Sequence, residues 1–229
     1  KDATARMMRY FEEKRKIWGE HCLGRDISIT DLDEEDLACL TMGGHTMLPN
    51  LESSGRRIYL TNRAALNHAK AKSIIRANWY LIMKTIKEDE TVQKMGVIRL
   101  SYLLNYTPAA NTALSEVSVY RRGQLQLAQA LPIRFAAIYI VSQPRIWDAP
   151  INSTLKLLNT ALVVRTRLLS GSYQECIYQL ACLGITSLPI GEDGSMDMSD
   201  HLAWVQACQD TQGSRKRQKK ESEMHDDDE

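Results

Sequence analysis

The sequence predicts an α/β fold, a mostly parallel, mixed sheet flanked by helices behind an N-terminal helical segment. Three observations predict it. Helical periodicity comes first in the chain, and strand-like and helical segments then alternate, the order of a parallel sheet with helices packed against it. Residues 135–142 are almost wholly apolar, as expected of a strand buried on both faces. The chain has 229 residues, of which 44% are hydrophobic and 25% charged, enough for one large domain with a sizeable core.

The elements follow in order. Met7, Met8, Phe11 and Trp18 recur at helical spacing over 5–18, and Gly19 ends that helix. A second helix is expected to start near Thr30, with Asp33 three residues on as an imperfect capping box, and to stop at Gly43 and Gly44. Residues 50–55 read as a turn and 57–61 as a short strand. Leu66, Ile74, Ile75, Trp79, Ile82, Met83 and Ile86 mark a long helix over 66–87, and Gly96 breaks it from a strand at 97–104.

In that strand the period of two puts Ile98, Leu100, Tyr102 and Leu104 on one face and the mixed set Val97, Arg99, Ser101 and Leu103 on the other. A helix is expected over 112–130, with Leu114, Val117, Arg121, Leu125 and Ala128 on one stripe. The strand 135–142 ends before Pro144. Pro150 opens a helix at 149–163 whose stripe is Ile151, Leu155, Leu158 and Leu162. A short strand at 166–170 precedes Ser172 and Glu175, a capping box that starts a helix ending at Gly184. Beyond Gly213 the sequence is charged and aperiodic, which predicts a disordered tail over 213–229.

Composition excludes several classes. With 29 basic and 28 acidic residues the net charge is +1, so nothing indicates bulk binding of nucleic acid. No apolar run approaches the roughly 20 residues that span a bilayer. The first fifteen residues carry no signal-peptide pattern, and the absence of an initiator Met leaves room for a preceding segment. Five cysteines at scattered spacings, with no CxxC pair, lead us to expect a reduced, cytoplasmic location. The basic cluster at 215–220 is compatible with a nuclear address or with a solvated tail.

No nucleotide-binding, hydrolase, metalloprotease or kinase motif occurs, so an enzyme is not expected. None of the five histidines sits at metal-ligand spacing from another His or Cys, and no metal or other cofactor is expected. The acidic run at 31–36 lacks the spacing of a calcium loop and reads as the start of a helix.

One stretch says more. Residues 131–144, LPIRFAAIYIVSQP, resemble the central motif of the CRAL-TRIO lipid-binding domain, and residues 168–180, LLSGSYQECIYQL, resemble its short strand, Gly/Ser turn and following helix. Weaker likenesses lie at SLPIG (187–191), in the N-terminal helix and in the first strand. The resemblance implies a sheet that floors an enclosed apolar cavity gated by a mobile helix. It implies a helical-lobe remnant over 1–48 and a lipid-binding lobe over 49–212.

On this basis Ile98, Leu100, Tyr102 and Leu104 are expected to line the cavity, with Ile138 and Ile140 from the next strand. By position, helix 149–163 is the gate, and it contributes Ile151, Leu155, Leu158 and Leu162, with Trp147 just before it. Arg165 matches the family's basic headgroup residue, whereas Ile133 stands at its acidic one and the Gly-Gly pair is missing. The headgroup site is thus half preserved. The expected partner is a phospholipid or isoprenoid-like hydrophobic ligand, with transient contact to a membrane surface. The alternative is a ligand-free scaffold or regulatory module of the same fold.

Overall fold

The computed structural model describes residues 2–106, 114–143 and 160–211. Five strands form one sheet in the order β1-β2-β3-β4-β5. β1 (His45–Leu51) pairs antiparallel with β2 (Arg57–Asn62), while β3 (Val97–Tyr102), β4 (Phe135–Ser142) and β5 (Thr166–Ser170) continue the sheet in parallel. This is the α/β fold with a mostly parallel, mixed sheet that the alternation predicts. Spatial order follows chain order because α3 (Ala71–Glu88) and α5 (Leu114–Ala130) each connect neighbouring parallel strands, β2 to β3 and β3 to β4.

The sheet separates two apolar clusters. On one face α1 (Asp2–Trp18), α2 (Glu34–Thr41), α3 and α5 enclose Trp18, Leu40, Tyr59, Trp79, Leu81, Val97, Leu127 and Leu131. On the other face α7 (Tyr173–Cys182) supplies Cys176 and Leu180 against Ile58, Leu60, Ile98, Leu100, Tyr139 and Val141. The short α4 (Glu90–Met95), the one-turn α6 (Thr160–Val163) and a helix α8 over 199–211 complete the described elements. None of the described helices is long and apolar enough to cross a membrane.

Several sequence expectations shift. The second helix begins at Glu34 rather than near Thr30. A 3₁₀ turn at Ile29–Asp31 comes first, and Asp33 caps α2 in a complete box with Asp36. The long helix starts at Ala71, after a 3₁₀ turn at Ala64–Leu66. β3 ends at Tyr102, two residues earlier than read. The inward stripe of α5 is Tyr120, Gln124 and Leu127, continued by Leu131 just past its end, one residue round from the predicted Arg121, Leu125 and Ala128, because a buried polar side chain, Gln124, holds its centre.

β1 is absent from the sequence reading, which takes residues 50–55 as a turn and assigns nothing to 45–49. As an edge strand it tolerates a proline that lacks an N–H, and its pairing slips between Met47 and Leu51. β1 also spans the expected lobe boundary at 48/49, and α1 and α2 share one core with β2 and β3.

Gly96 is required where it stands. Its φ is 75°, and a Cβ there would lie 2.3 Å from the Arg134 carbonyl. Its tight approach precedes the register shift that sets Val97 opposite Phe135 but Ile98 opposite Ala137.

Candidate ligand-binding site

The residues expected to line one cavity fall on both faces of the sheet. Ile98, Leu100, Tyr102 and Leu104 share a face, as the alternation requires, and pack with Tyr139, Val141, Leu169, Cys176 and Leu180. They are at most 6% exposed, so each is enclosed by protein atoms. Ile138 and Ile140 point the other way, because the register shift pairs them with Arg99 and Ser101 rather than with Leu100. Leu162 lies on their side, in the cluster that holds Ile138.

Trp147, Ile151, Leu155 and Leu158 lie outside the described residues, as does most of the expected gate helix and the tail at 213–229. Arg165 sits just before β5. Its guanidinium donates to the Phe135 carbonyl (3.1 Å), and its own carbonyl accepts from the Ile138 N–H (2.9 Å). It therefore marks the start of β4 and β5, opposite the carboxyl ends of the strands.

The face carrying Ile138 and Ile140 also holds a buried polar network that the sequence reading did not single out. In strand register, His45, Thr61 and Ser101 form one row across β1, β2 and β3, and Met47, Tyr59 and Arg99 the row beside it. The Tyr59 hydroxyl lies 2.7 Å from His45 Nδ1 and donates to Asn78 Oδ1 at 2.5 Å. With its one proton given to Asn78, the hydroxyl accepts from His45 Nδ1–H, which fixes the tautomer. Asn78 Nδ2 donates to Gln124 Oε1 (3.1 Å), and Arg99 donates to the same oxygen (3.3 Å). Arg63, directly after β2, lies 4.1 Å from the Tyr120 ring centre and 5.6 Å from that of Tyr106.

Electrostatics here are cationic. Burial holds the His45 imidazole well below its ordinary pKa, and the nearby Arg99 and Arg63 lower it further, so His45 is neutral. Burial raises the Tyr59 and Tyr120 phenols, so both stay protonated. The site therefore offers hydrogen-bond donors and two guanidinium charges beside the apolar Ile138. Among the described residues no group of three or more His, Cys, Asp and Glu side chains gathers as a metal cage. An open groove of about 510 Å³ lies elsewhere, at the β1 edge, between Met47–Pro49, the end of α3 and α8, and is lined in part by Glu88, Asp89, Glu90 and Asp200.

One signal for the polar network is in the sequence. The mixed face of strand 97–104 carries Arg99 between residues whose neighbours are all apolar, and an arginine mid-strand in a central sheet position needs an explanation. Nothing in the sequence places Arg63, Asn78 and Gln124 together, since they come from a strand end and two separate helices.

The sequence matches no protein-family model, and no curated protein matches it. Its fold is similar to the crystal structure of Sfh5, with a TM-score of 0.50 and 10% sequence identity. The match covers 72% of this chain and 59% of Sfh5. At this identity the likeness is one of fold alone.

Proposed function

We propose that this chain binds a hydrophobic small molecule, without chemistry, on the sheet face that carries Arg99, Ile138 and Ile140. The observation that carries this reading is the fold. A distant CRAL-TRIO-like sheet bears, at 131–144 and 168–180, the stretches that resemble a lipid-binding domain. Ligand sites are mostly apolar with a few placed polar groups, and that face has both. In α/β sheets ligands also enter at the carboxyl ends of the strands, where Arg63 and Ser142 lie. Each methylene buried contributes about 0.8 kcal/mol. The gate over 149–163 and exchange at a membrane surface belong to the same proposal and rest on the resemblance.

A ligand-free scaffold is the second reading. It is favoured by the packing of Ile98, Leu100, Tyr102 and Leu104 into a filled core. Organic extraction of the purified full chain, followed by mass spectrometry, separates the two. The binding reading expects a hydrophobic molecule at near-stoichiometric amount, or uptake of one from lipid vesicles. No extract and no uptake from vesicles of several lipid classes establish the scaffold.

A further inference from the structure

Structural arginines in this protein have a recognisable set of partners. Arg76 lies 3.0 Å from both Asp33 and Asp36 and stacks on Trp18 at 4.5 Å. Arg57 pairs with Asp89 at 2.6 Å, and Arg25 with Asp31 at 2.7 Å. Arg6 donates to the carbonyls of Leu131 and Ile133, both at 2.6 Å. In each case the guanidinium meets acceptors.

Arg63 and Arg99 depart from that pattern. Arg63 is 8% exposed and its one hydrogen bond, to the Leu66 carbonyl, is long at 3.5 Å. Its flanking groups are the rings of Tyr120 and Tyr106, which support a cation but do not neutralise it. Arg99 is half-buried and its one hydrogen bond goes to Gln124 Oε1. Among the described residues neither forms an ion pair. Among the guanidinium nitrogens of this pair, Arg99 Nε is buried with no acceptor.

The network around them deepens the surplus. Its hydrogen bonds run from His45 through Tyr59 and Asn78 into one oxygen, Gln124 Oε1, which also receives Arg99. That leaves Gln124 Nε2 and Arg99 Nε as buried donors with no acceptor. Arg63 lies over Tyr120 and Arg99 donates to Gln124, residues one turn apart on α5, so the two guanidinium groups face the same side of that helix. Buried, unpaired charge is unfavourable unless something compensates it. A cluster of surplus donors around two cations calls for an anion with several acceptor oxygens. A carboxylate or a phosphate group has that chemistry, and a guanidinium binds either in a fork geometry.

We propose that Arg63, Arg99 and Gln124 Nε2 form a buried anion site that holds the carboxylate or phosphate head of the bound hydrophobic molecule. Its tail then lies along Ile138 and Ile140. The inference rests on the binding reading and names the ligand class, a singly headed anionic amphiphile. Ile138 is the register partner of Arg99 and Ile140 that of Ser101, so the apolar track begins beside the head site.

The test uses the full chain after delipidation, with oleate, oleyl phosphate, oleyl alcohol and inorganic phosphate each titrated by calorimetry. Oleate or oleyl phosphate binds about 10- to 100-fold more tightly than oleyl alcohol, the range of one lost charge-assisted hydrogen bond. In R63M and R99M that preference disappears while affinity for the alcohol is kept. The variants also supply a readout that a structural role would not give. Without ligand their thermal midpoints equal or exceed that of the parent, because an uncompensated charge has been replaced by an apolar side chain.

Equal binding of oleate and oleyl alcohol overturns the anion site and leaves the binding reading intact. Binding of no amphiphile overturns both. Inorganic phosphate bound as tightly as oleyl phosphate shows a free anion as the occupant and overturns the amphiphile. A marked fall in the thermal midpoint of both variants makes the arginines structural and also overturns the proposal.

Discussion

Arg99 and Ile138 are register partners on neighbouring parallel strands, so a guanidinium and an apolar side chain stand side by side on one face of the sheet. Their chain neighbours Leu100 and Tyr139 are likewise partners and point to the opposite face, into a filled cluster. One strand pair thus separates a face that mixes polar and apolar side chains from an apolar cluster, with the side-chain period of two as the cause.

That division predicts opposite outcomes for two tryptophan substitutions. Leu100 has no exposed surface, so Leu100→Trp overpacks a full core and lowers stability by about 1–3 kcal/mol or more. Ile140 is half-buried, and Ile140→Trp lowers stability by less while reducing the ligand recovered by extraction. Urea unfolding and mass spectrometry on both variants check this. Loss of ligand in Leu100→Trp, at unchanged stability, places the ligand on the other face.

Where sequence and structure agree, periodicity carries the agreement. The apolar face of 97–104, the doubly buried 135–142 and the Ser172–Glu175 capping box all depend on local spacing, and all three are present in the structure. The disagreements have non-local causes. One extra residue at the Val97/Ile98 register shift decides which side of β4 faces Leu100, and no periodicity reveals a bulge in a neighbouring strand. The stripe of α5 turns by one residue because Gln124 meets Asn78 and Arg99 from two other elements. Reading a polar residue as outward is sound locally and fails where a network buries it. β1 escapes notice because Pro49 is unfavourable everywhere in a sheet except an edge.

Tyr59→Phe tests that network. The hydroxyl bridges His45 Nδ1 and Asn78 Oδ1, both buried. Its removal leaves Asn78 Oδ1 without its donor and His45 Nδ1 with only the long contact to Thr61 Oγ1 (3.4 Å), at about 1–3 kcal/mol. A lower urea midpoint with unchanged slope is the expected result. A midpoint equal to the parent's means that water replaces the hydroxyl.

Stability is predicted to fall as pH drops below about 6.5, before the carboxylates titrate. His45 and His201 both have lowered pKa values, through burial in each case, with Arg99 and Arg63 adding to the effect at His45. The unfolded chain therefore takes up protons near pH 6.5 that the native state refuses. Stability is unaffected by these groups above that pH and declines below it by about 1.4 kcal/mol per pH unit for each proton. His45→Gln reduces the slope between pH 5 and 6.5 by about one proton. Unfolding curves across that window give the slope directly, and an unchanged slope in the variant means His45 is protonated in the native state.

The last prediction concerns Arg76, the paired counterpart of Arg63 and Arg99. Asp36 is fully buried at the third position of α2, where its carboxylate accepts from the Asp33 N–H and lies 3.0 Å from Arg76. Burial raises the Asp36 pKa, and Arg76 is among the groups that oppose this and keep the carboxylate charged. Arg76 also donates to the Asp31 carbonyl at 2.7 Å and covers the Trp18 ring, so it ties α3 to α2 and to the end of α1. Removing it leaves a buried carboxylate with no cation, the arrangement in which a broken ion pair costs about 3–5 kcal/mol. Arg76→Met should therefore lower stability by about that amount, whereas R99M, which strands no carboxylate, should not. Restoring stability in the double variant Arg76→Met with Asp36→Leu ties the loss to the stranded charge. If the double variant is no more stable than Arg76→Met alone, the loss comes from the stacking on Trp18 and the bond to Asp31.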